Sequence, residues 1–228
     1  MTVIEHLDEL RTRILRSLVV ILLSFGFTLM FGKDIVRFLE APAGSITFQA
    51  LSLEEPLIVY FKVCFYAALV MAFPWVLGEL SQFVAPGLRP NERRVLMPVV
   101  VGGPLLFVLG AAFAYYLLLP PMLHFFGSFG QGMSPIHQRL DFYISLVTTI
   151  MLYMGLCFQL PIIIFALSFT GLVNSRQLLS IWRYAVFGAG VAAAVITPDP
   201  TAFSMLIVMA ALTGLYFMSV WLLRLFGK

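Results

Sequence analysis

The chain has 228 residues, of which 61% are hydrophobic and only 11% are charged, and its formal net charge is +3. Soluble domains carry about 25% charged residues, and a water-soluble fold of this length has too little core to bury so much apolar surface. The composition therefore excludes an ordinary soluble domain and indicates an integral membrane protein.

Long uncharged runs favour transmembrane helices over the alternating segments of a membrane β-barrel. We predict an all-α membrane protein, a bundle of six transmembrane helices forming one domain over residues 1–228. A span needs about 20 residues to cross a hydrocarbon core of about 30 Å, and the fifth predicted span is shorter than that. The predicted spans are residues 14–32, 57–77, 95–119, 142–169, 184–196 and 202–223. Pro74, Pro104 and Pro161 fall inside spans, where we expect kinks.

The distribution of Lys and Arg predicts the orientation, because cytoplasmic loops are enriched in both residues. Only Lys33, Arg37 and Arg139 lie on one side, and Lys62 lies within the second span. The other side carries Arg11, Arg13, Arg16, Arg89, Arg93, Arg94, Arg176, Arg183, Arg224 and Lys228. We therefore predict a multi-pass protein of the bacterial cytoplasmic (inner) membrane with both termini in the cytoplasm and loops 33–56 and 120–141 outside. The sequence has no basic cluster with aromatic platforms, so it does not indicate nucleic-acid binding.

A charged leader, residues 6–13, precedes the first span. Leu7 and Leu10 share a helical face that Ile14 continues, while acids and bases project elsewhere. This spacing predicts an amphipathic helix at the cytoplasmic interface. From the spacing alone, a simple anchor whose charges pair locally remains open.

The first outer loop begins with mixed charged and apolar residues at 33–40, which predict a short interfacial helix that Pro42 ends. Further along this loop, Glu54, Glu55 and Pro56 precede the second span, and Lys62 lies about one and a half turns into it. We expect Lys62 to extend its ammonium group outward to the interface.

Three further polar segments follow. Residues 83–94 predict a compact turn and then a helix start with Glu92 in its first turn, although a simple cap would have the same pattern. Gln159 lies near the middle of the fourth span, where its amide needs a partner helix or a wet cavity. Asp199 stands between two prolines and predicts an outer turn.

Motifs of enzyme chemistry are absent from the sequence. The two cysteines, Cys64 and Cys157, lie within spans, and the three histidines lack metal-ligand spacing. There is also no nucleophile elbow, P-loop or dinucleotide fingerprint. We therefore predict neither an enzyme nor a bound metal or cofactor.

Taken in order, the polar motifs resemble those of one family, TatC, the receptor subunit of the twin-arginine translocase. The resemblance extends over essentially the whole chain, and six motifs agree in order and spacing. They are HLDELRTR, LSLEEPL followed by Lys62, FVAPGLRPNERR, AFAYYLLLP, GLCFQLP and ITPDPTAFS.

This resemblance implies a function. TatC proteins bind the twin-arginine signal peptides of folded cargo and, with TatA- and TatB-type single-span subunits, move the cargo across the membrane using the proton-motive force. It also implies self-association in a complex within the lipid membrane. The signal-peptide positions that it implies are Glu9, Arg11, Phe83, Pro86, Glu92 and Arg93.

The remaining matched positions are assigned more loosely. Gln159, often Glu in relatives, is expected to contact a partner subunit or a water-accessible concavity. Pro42, Glu55, Lys62 and Asp199 are outer-side residues with a structural or functional role. The sequence departs from the family at residues 78–81, where relatives usually carry a Tyr-Gln-x-Trp pattern.

One alternative comes from a different class, a secondary transporter or channel for a small solute. Such a protein would show inverted repeats and paired broken helices around charges at the midplane. Neither repeats nor a charged midplane pair is visible in the sequence.

Overall fold

The computed structural model describes residues 3–44, 48–87, 96–130, 138–169, 171, 173–197 and 202–225. The helices in these ranges are α1 Val3–Thr28, α2 Gly32–Glu40, α3 Glu55–Val84, α4 Leu96–Phe113, α5 Leu119–Gly130, α6 Leu140–Cys157, α7 Leu160–Phe169, α8 Ser175–Ser180, α9 Trp182–Ile196 and α10 Ala202–Leu225. Two short strands, β1 Phe48–Gln49 and β2 Gln138–Arg139, pair in parallel. Apart from this pair the described fold is helical, which confirms the predicted class.

Four helical stretches are long and apolar enough to cross a membrane: Glu55–Val84, Leu96–Ser128, Leu140–Ser168 and Ala202–Leu225. A fifth candidate joins α1 to α2 across a bend of 80°. The remaining apolar helix, α9, has 15 residues. The described part of the chain therefore contains four or five candidate spans by length and composition.

Helix α1 combines two predicted elements, the leader and the first span, into one helix. No proline interrupts residues 3–28, so the backbone continues from the amphipathic leader into the apolar segment. α1 packs antiparallel to α3: His6 stacks on Phe83 at one end, and Thr28 donates a hydrogen bond of 2.9 Å to the carbonyl of Cys64 near the other. We call these ends of the bundle the leader end and the opposite end.

The short helix predicted at residues 33–40 is confirmed as α2 and is followed by a 3₁₀ turn that contains Pro42, while its position at a membrane interface stays a prediction. Two tyrosine hydroxyls hold its last turn to the bundle. Tyr115 donates to the carbonyl of Phe38 at 2.6 Å, and Tyr143 donates to that of Leu39 at 2.8 Å. The carbonyl of Phe38 also accepts the backbone N–H of Ala41, so the tyrosine bond adds to that of the turn.

The fourth predicted span is divided into α6 and α7 at residues 158–159. Pro161 explains the division, because a proline lacks the N–H for the carbonyl four residues earlier, that of Cys157, and its ring crowds that carbonyl. Pro74 and Pro104, by contrast, lie inside the continuous helices α3 and α4.

Close packing of α4 on α6 sets the centre of the bundle. Gly110 faces the backbone of Met154 and Gly155, and Gly155 faces the ring of Phe107. Small residues at such crossings let two backbones approach, which drives helix association in membranes. The contact between α4 and α6 holds α4 and the break between α6 and α7 beside α3. The last turns of α3 carry the site described below.

Candidate functional site

The guanidinium of Arg13 is the centre of a charged cluster at the leader end. Its Nε donates to Glu9 Oε1 at 3.0 Å, and its Nη2 donates to the same oxygen. Its Nη1 donates to Glu79 Oε2 at 2.9 Å and to Gln82 Oε1 at 3.2 Å. A single arginine therefore joins an acid on α1 to an acid on α3.

Helical spacing brings these groups together. Glu9 and Arg13 are four residues apart on α1, and Glu79 and Phe83 are four apart on α3, so each pair shares one face of its helix. The charged groups are largely removed from solvent, with side-chain exposures of 18% for Glu9, 16% for Arg13 and 8% for Glu79. Two carboxylates share one guanidinium, which leaves the cluster with an excess negative charge.

One oxygen of Glu9 remains available. Glu9 Oε2 is buried and has no hydrogen-bond partner among the described residues. His6 Nδ1 lies 4.0 Å away, beyond hydrogen-bond distance, and the His6 ring stacks on Phe83 with centroids 4.2 Å apart. A buried carboxylate oxygen without a partner is energetically unfavourable, so this position favours an incoming cationic donor.

Two grooves meet at Arg13. The polar groove, of about 370 Å³, is lined by Glu5, Asp8, Glu9, Thr12, Arg13 and Arg16. The apolar groove, of about 280 Å³, runs between α1 and α3 and is lined by Arg13, Glu79, Phe83, Ser17 and the apolar residues Leu10, Ile14, Leu18, Ile21, Val76 and Leu80. An extended ligand with a basic part followed by an apolar part matches this order of surfaces.

The structure brings together two of the residues predicted for this site, Glu9 and Phe83. Arg11 is exposed and shares no hydrogen bond or ion pair with the described members of the cluster, and Pro86 is exposed in a 3₁₀ turn after α3. Glu92 and Arg93 lie outside the described residues.

Sequence reasoning missed Arg13 and Glu79 as members of the site. Glu79 lay in the segment noted only as a departure from the family pattern. The sequence nevertheless contained a signal for Glu79, because a carboxylate within an apolar helix is energetically costly in a membrane and indicates either a functional role or a buried partner.

A second polar cluster lies at the opposite end. Lys62 Nζ contacts Asp141 Oδ1 at 2.5 Å and Ser145 Oγ at 2.7 Å. Glu55 accepts from the backbone N–H groups of Leu51 at 2.8 Å and Asp141 at 3.1 Å. Lys62 therefore pairs across helices, which differs from its predicted outward extension. Asp141 was not singled out, because its partner is 79 residues away in the chain.

These contacts join α3 to α6 beside the β1–β2 pair. Of the other predicted outer residues, Pro42 lies in the turn after α2, and Asp199 lies outside the described residues. The arrangement gives Glu55 and Lys62 structural partners, while a role in transport remains a prediction.

We expect Lys62→Met to lower the free energy of unfolding by about 1–2 kcal/mol, because it leaves Asp141 half-buried without its cation. The two side chains are 29% and 28% exposed, between the surface and buried cases. Thermal unfolding of the purified protein would measure the effect.

The matched control is Arg37→Gln, which removes the ion pair with Asp34 at 3.8 Å, where both side chains are more than 70% exposed. This variant should unfold like the parent chain. Equal stability of both variants would show that the Lys62–Asp141 pair does not stabilise the bundle.

Gln159 lies at the α6–α7 break. Its Nε2 donates to the carbonyl of Gly103 on α4 at 3.0 Å, and the side chain is buried. It therefore bridges two helices of this chain, and the structure does not place it on an open concavity. Its Oε1 is buried and has no partner among the described residues, so contact with a partner subunit stays a prediction.

Comparison with known proteins gives a consistent result. The family model of the Sec-independent protein translocase protein (TatC) matches residues 5–210. The chain is 41% identical, over all its 228 residues and 90% of the relative, to the Sec-independent protein translocase protein TatC of Synechocystis sp.. It is 39% identical to the chloroplastic TATC of Arabidopsis thaliana, covering 100% of this chain and 68% of that one.

The fold has a solved counterpart as well. A crystal structure titled as the twin arginine translocase receptor TatC superposes with a TM-score of 0.83 at 31% identity, covering 98% of this chain and 100% of the other. These similarities do not favour the alternative of a small-solute transporter or channel.

Proposed function

Because the chain belongs to the TatC family, we propose that it is the membrane receptor for twin-arginine signal peptides, and that the Glu9–Arg13–Glu79 cluster and the adjoining grooves bind the peptide. The observation that carries this proposal is the excess carboxylate at the leader end, beside an apolar groove. A secretory signal peptide has a basic segment followed by an apolar one of about 7–15 residues. The two grooves meet at Arg13 in the same order.

Guanidinium chemistry supports the choice of ligand. A planar guanidinium can form two parallel hydrogen bonds to a carboxylate, whereas a lysine ammonium is a compact and more strongly hydrated charge. In this proposal Glu9 receives one arginine of the pair and Glu92 the other, with Phe83, Pro86, Arg11 and Arg93 at the edges of the site.

The proposal is tested with the purified chain in lipid nanodiscs and a fluorescent twin-arginine signal peptide. We expect saturable binding that is at least about tenfold tighter than for the same peptide with Lys-Lys, a difference of about 1.4 kcal/mol. Equal affinity for both peptides, or no saturable binding, would contradict the proposal.

Partner subunits and cargo export extend the same proposal. Small single-span subunits of the TatA and TatB type would assemble on the membrane-embedded faces, with Gln159 as a polar contact, and copies of this chain would self-associate in the complex. Cargo would then cross a bacterial inner membrane at the expense of the proton-motive force.

We propose six spans with both termini in the cytoplasm, formed by α1, α3, α4–α5, α6–α7, α9 and α10. The Lys and Arg bias supports this, because the exposed Arg16 and Arg224 lie at the leader end and the exposed Lys33 and Arg37 at the opposite end.

A cysteine-labelling experiment tests this topology. With Cys64 and Cys157 replaced by Ala, we expect Asp34→Cys to react with a membrane-impermeant maleimide added to intact cells, and Arg224→Cys to react only after lysis. The comparison is matched because both positions are exposed at ends of helices. External labelling of Arg224→Cys would contradict the proposed orientation.

Helix α9 is proposed to be a short fifth span that thins the bilayer. Its 15 residues cover about 22 Å, against a usual hydrocarbon core of about 30 Å. Ala193 is fully buried and Gly190 faces Met209 of α10, so one side of α9 is sheltered. On the other side Tyr184, Phe187 and Val195 are each more than 70% exposed. Because this side is not sheltered by protein, the bilayer would have to thin to match the length of the helix.

Spin labels at Tyr184 and Val195, about 17 Å apart along the helix, would measure the bilayer thickness around α9. We expect both labels close to the headgroup region. In a bilayer of full thickness each label would lie about 7 Å below its interface, and that result would contradict local thinning. Labels at Phe203 and Trp221 of the longer α10, about 27 Å apart, provide the control.

A further inference from the structure

We propose, on the basis of the receptor function above, that Arg13 is a resident arginine that occupies the peptide's acceptor and lowers the affinity of the site until the peptide displaces it. The signal-peptide arginine would displace Arg13 from Glu9, and Arg13 would then remain on Glu79 and Gln82. Arg13 and Glu79 thus set the affinity of a site whose direct acceptor is Glu9.

Existing contacts define both states of this exchange. The guanidinium already has two sets of acceptors, with Nε and Nη2 on Glu9 and with Nη1 on Glu79 and Gln82. Release from Glu9 therefore leaves Arg13 paired with a carboxylate that is 8% exposed. An arginine without that second acceptor would become an unpaired, largely buried charge, which is strongly unfavourable.

The free oxygen of Glu9 provides the entry point. Because Oε2 is buried without a hydrogen-bond partner among the described residues, an incoming N–H can bind there before Arg13 leaves Oε1. The exchange then replaces one guanidinium by another on the same carboxylate, so the bonds lost and the bonds gained are of the same kind.

Competition with a resident arginine lowers the affinity for every ligand that takes its place. The free energy needed to release Arg13 from Glu9 is the same for an arginine peptide and for a lysine peptide, so it cancels in the difference of affinities that defines specificity. The preference for arginine comes from the incoming guanidinium itself, which is planar and less strongly hydrated than an ammonium. Removal of Arg13 should therefore strengthen peptide binding and leave the preference for arginine unchanged.

The decisive variant is the double substitution Arg13→Gln/Glu79→Gln. It removes one base and one acid, so it keeps the net charge of the cluster and leaves Glu9 free. In nanodiscs we expect it to bind the twin-arginine peptide about tenfold more tightly than the parent chain. Its preference for Arg-Arg over Lys-Lys should stay within about twofold of the parent value, because the release of Arg13 costs the same for both peptides.

A charge-balanced control is available at the opposite end, Asp34→Asn/Arg37→Gln, which removes an exposed ion pair of the same type. This control should leave both the affinity and the preference unchanged. If the Arg13/Glu79 double variant is folded and behaves like the control, the resident-arginine proposal is wrong while the receptor function stands. If the parent chain does not bind the twin-arginine peptide at all, the proposed function itself fails.

Arg13→Lys keeps the test decisive should the double variant fail to fold. It retains a cation between the two acids but loses the forked contact, so it should be displaced more easily and should raise peptide affinity about threefold. An unchanged affinity in this variant would also overturn the proposal.

Discussion

Glu9→Gln is expected to lower the affinity for a twin-arginine signal peptide about tenfold or more. The variant keeps the size and helical preference of the side chain but removes the charge that a guanidinium binds. Hydrogen bonds to charged groups contribute about 1.5–3 kcal/mol, and tenfold corresponds to about 1.4 kcal/mol. The fold should persist, because Arg13 keeps its contacts with Glu79 and Gln82.

Asp34→Asn provides the matched control, since it removes one carboxylate that is 73% exposed at the opposite end. This control should bind the peptide like the parent chain. Glu92→Gln is expected to have an effect similar to that of Glu9→Gln. Unchanged affinity in both glutamate variants would remove these residues from the site.

Gly110→Ala is expected to destabilise the bundle by about 3 kcal/mol, the upper end for overpacking. A Cβ at this position would lie 2.5 Å from the carbonyl oxygen of Met154 and 2.9 Å from the Cα of Gly155. Both atoms belong to the backbone of α6, so relief requires the two helices to separate. Thermal unfolding in detergent would measure the loss.

Gly78→Ala is the matched control for Gly110→Ala. It also adds one methyl group within a helix, but nothing lies within 4 Å of the added carbon. We expect this variant to be as stable as the parent or slightly more stable, because alanine favours the helix over glycine by about 1 kcal/mol. Equal stability of the two variants would contradict the proposed close approach of α4 and α6.

The sequence predicted those helices whose formation and ends depend on residues close together in the chain. The mixed residues at 33–40 predicted the short helix α2, and Pro42 marked its end. The apolar runs gave the membrane helices, although α3 and the α4–α5 stretch continue beyond their apolar segments. Span length alone cannot predict such extensions, because a helix ends where its backbone groups find other partners and not where its hydrophobicity stops.

Long-range pairing was the part that the sequence did not predict. Glu79 was visible as an acid in an apolar helix, but its partner Arg13 is 66 residues away. Asp141 lies 79 residues from Lys62, and the β1–β2 pair joins two loops that carry no strand pattern. Only the antiparallel packing of α1 on α3, and the parallel packing of α3 beside α6, makes these residues neighbours.

The structure describes only one of the two glutamates that the resemblance assigns to the peptide. Glu9 lies in the charged cluster, where Arg13 already occupies one of its oxygens, and its contact with the peptide stays a proposal. Glu92 lies outside the described residues, so its role rests on the family resemblance. Gln159 has an internal partner, the carbonyl of Gly103, and its Oε1 is buried without a partner among the described residues, so contact with another subunit stays a prediction.

Site-specific photocrosslinking tests the location of the peptide site most directly. A photoreactive amino acid would replace Leu80 in the apolar groove or, as a control of matched exposure, Leu206 on α10; the native side chains are 55% and 54% exposed. We predict that a twin-arginine peptide crosslinks to position 80 and not to position 206, and that excess unlabelled twin-arginine peptide, but not its Lys-Lys form, suppresses the product. Crosslinking at position 206 alone, or equally at both positions, would contradict a peptide site between the leader and the end of α3.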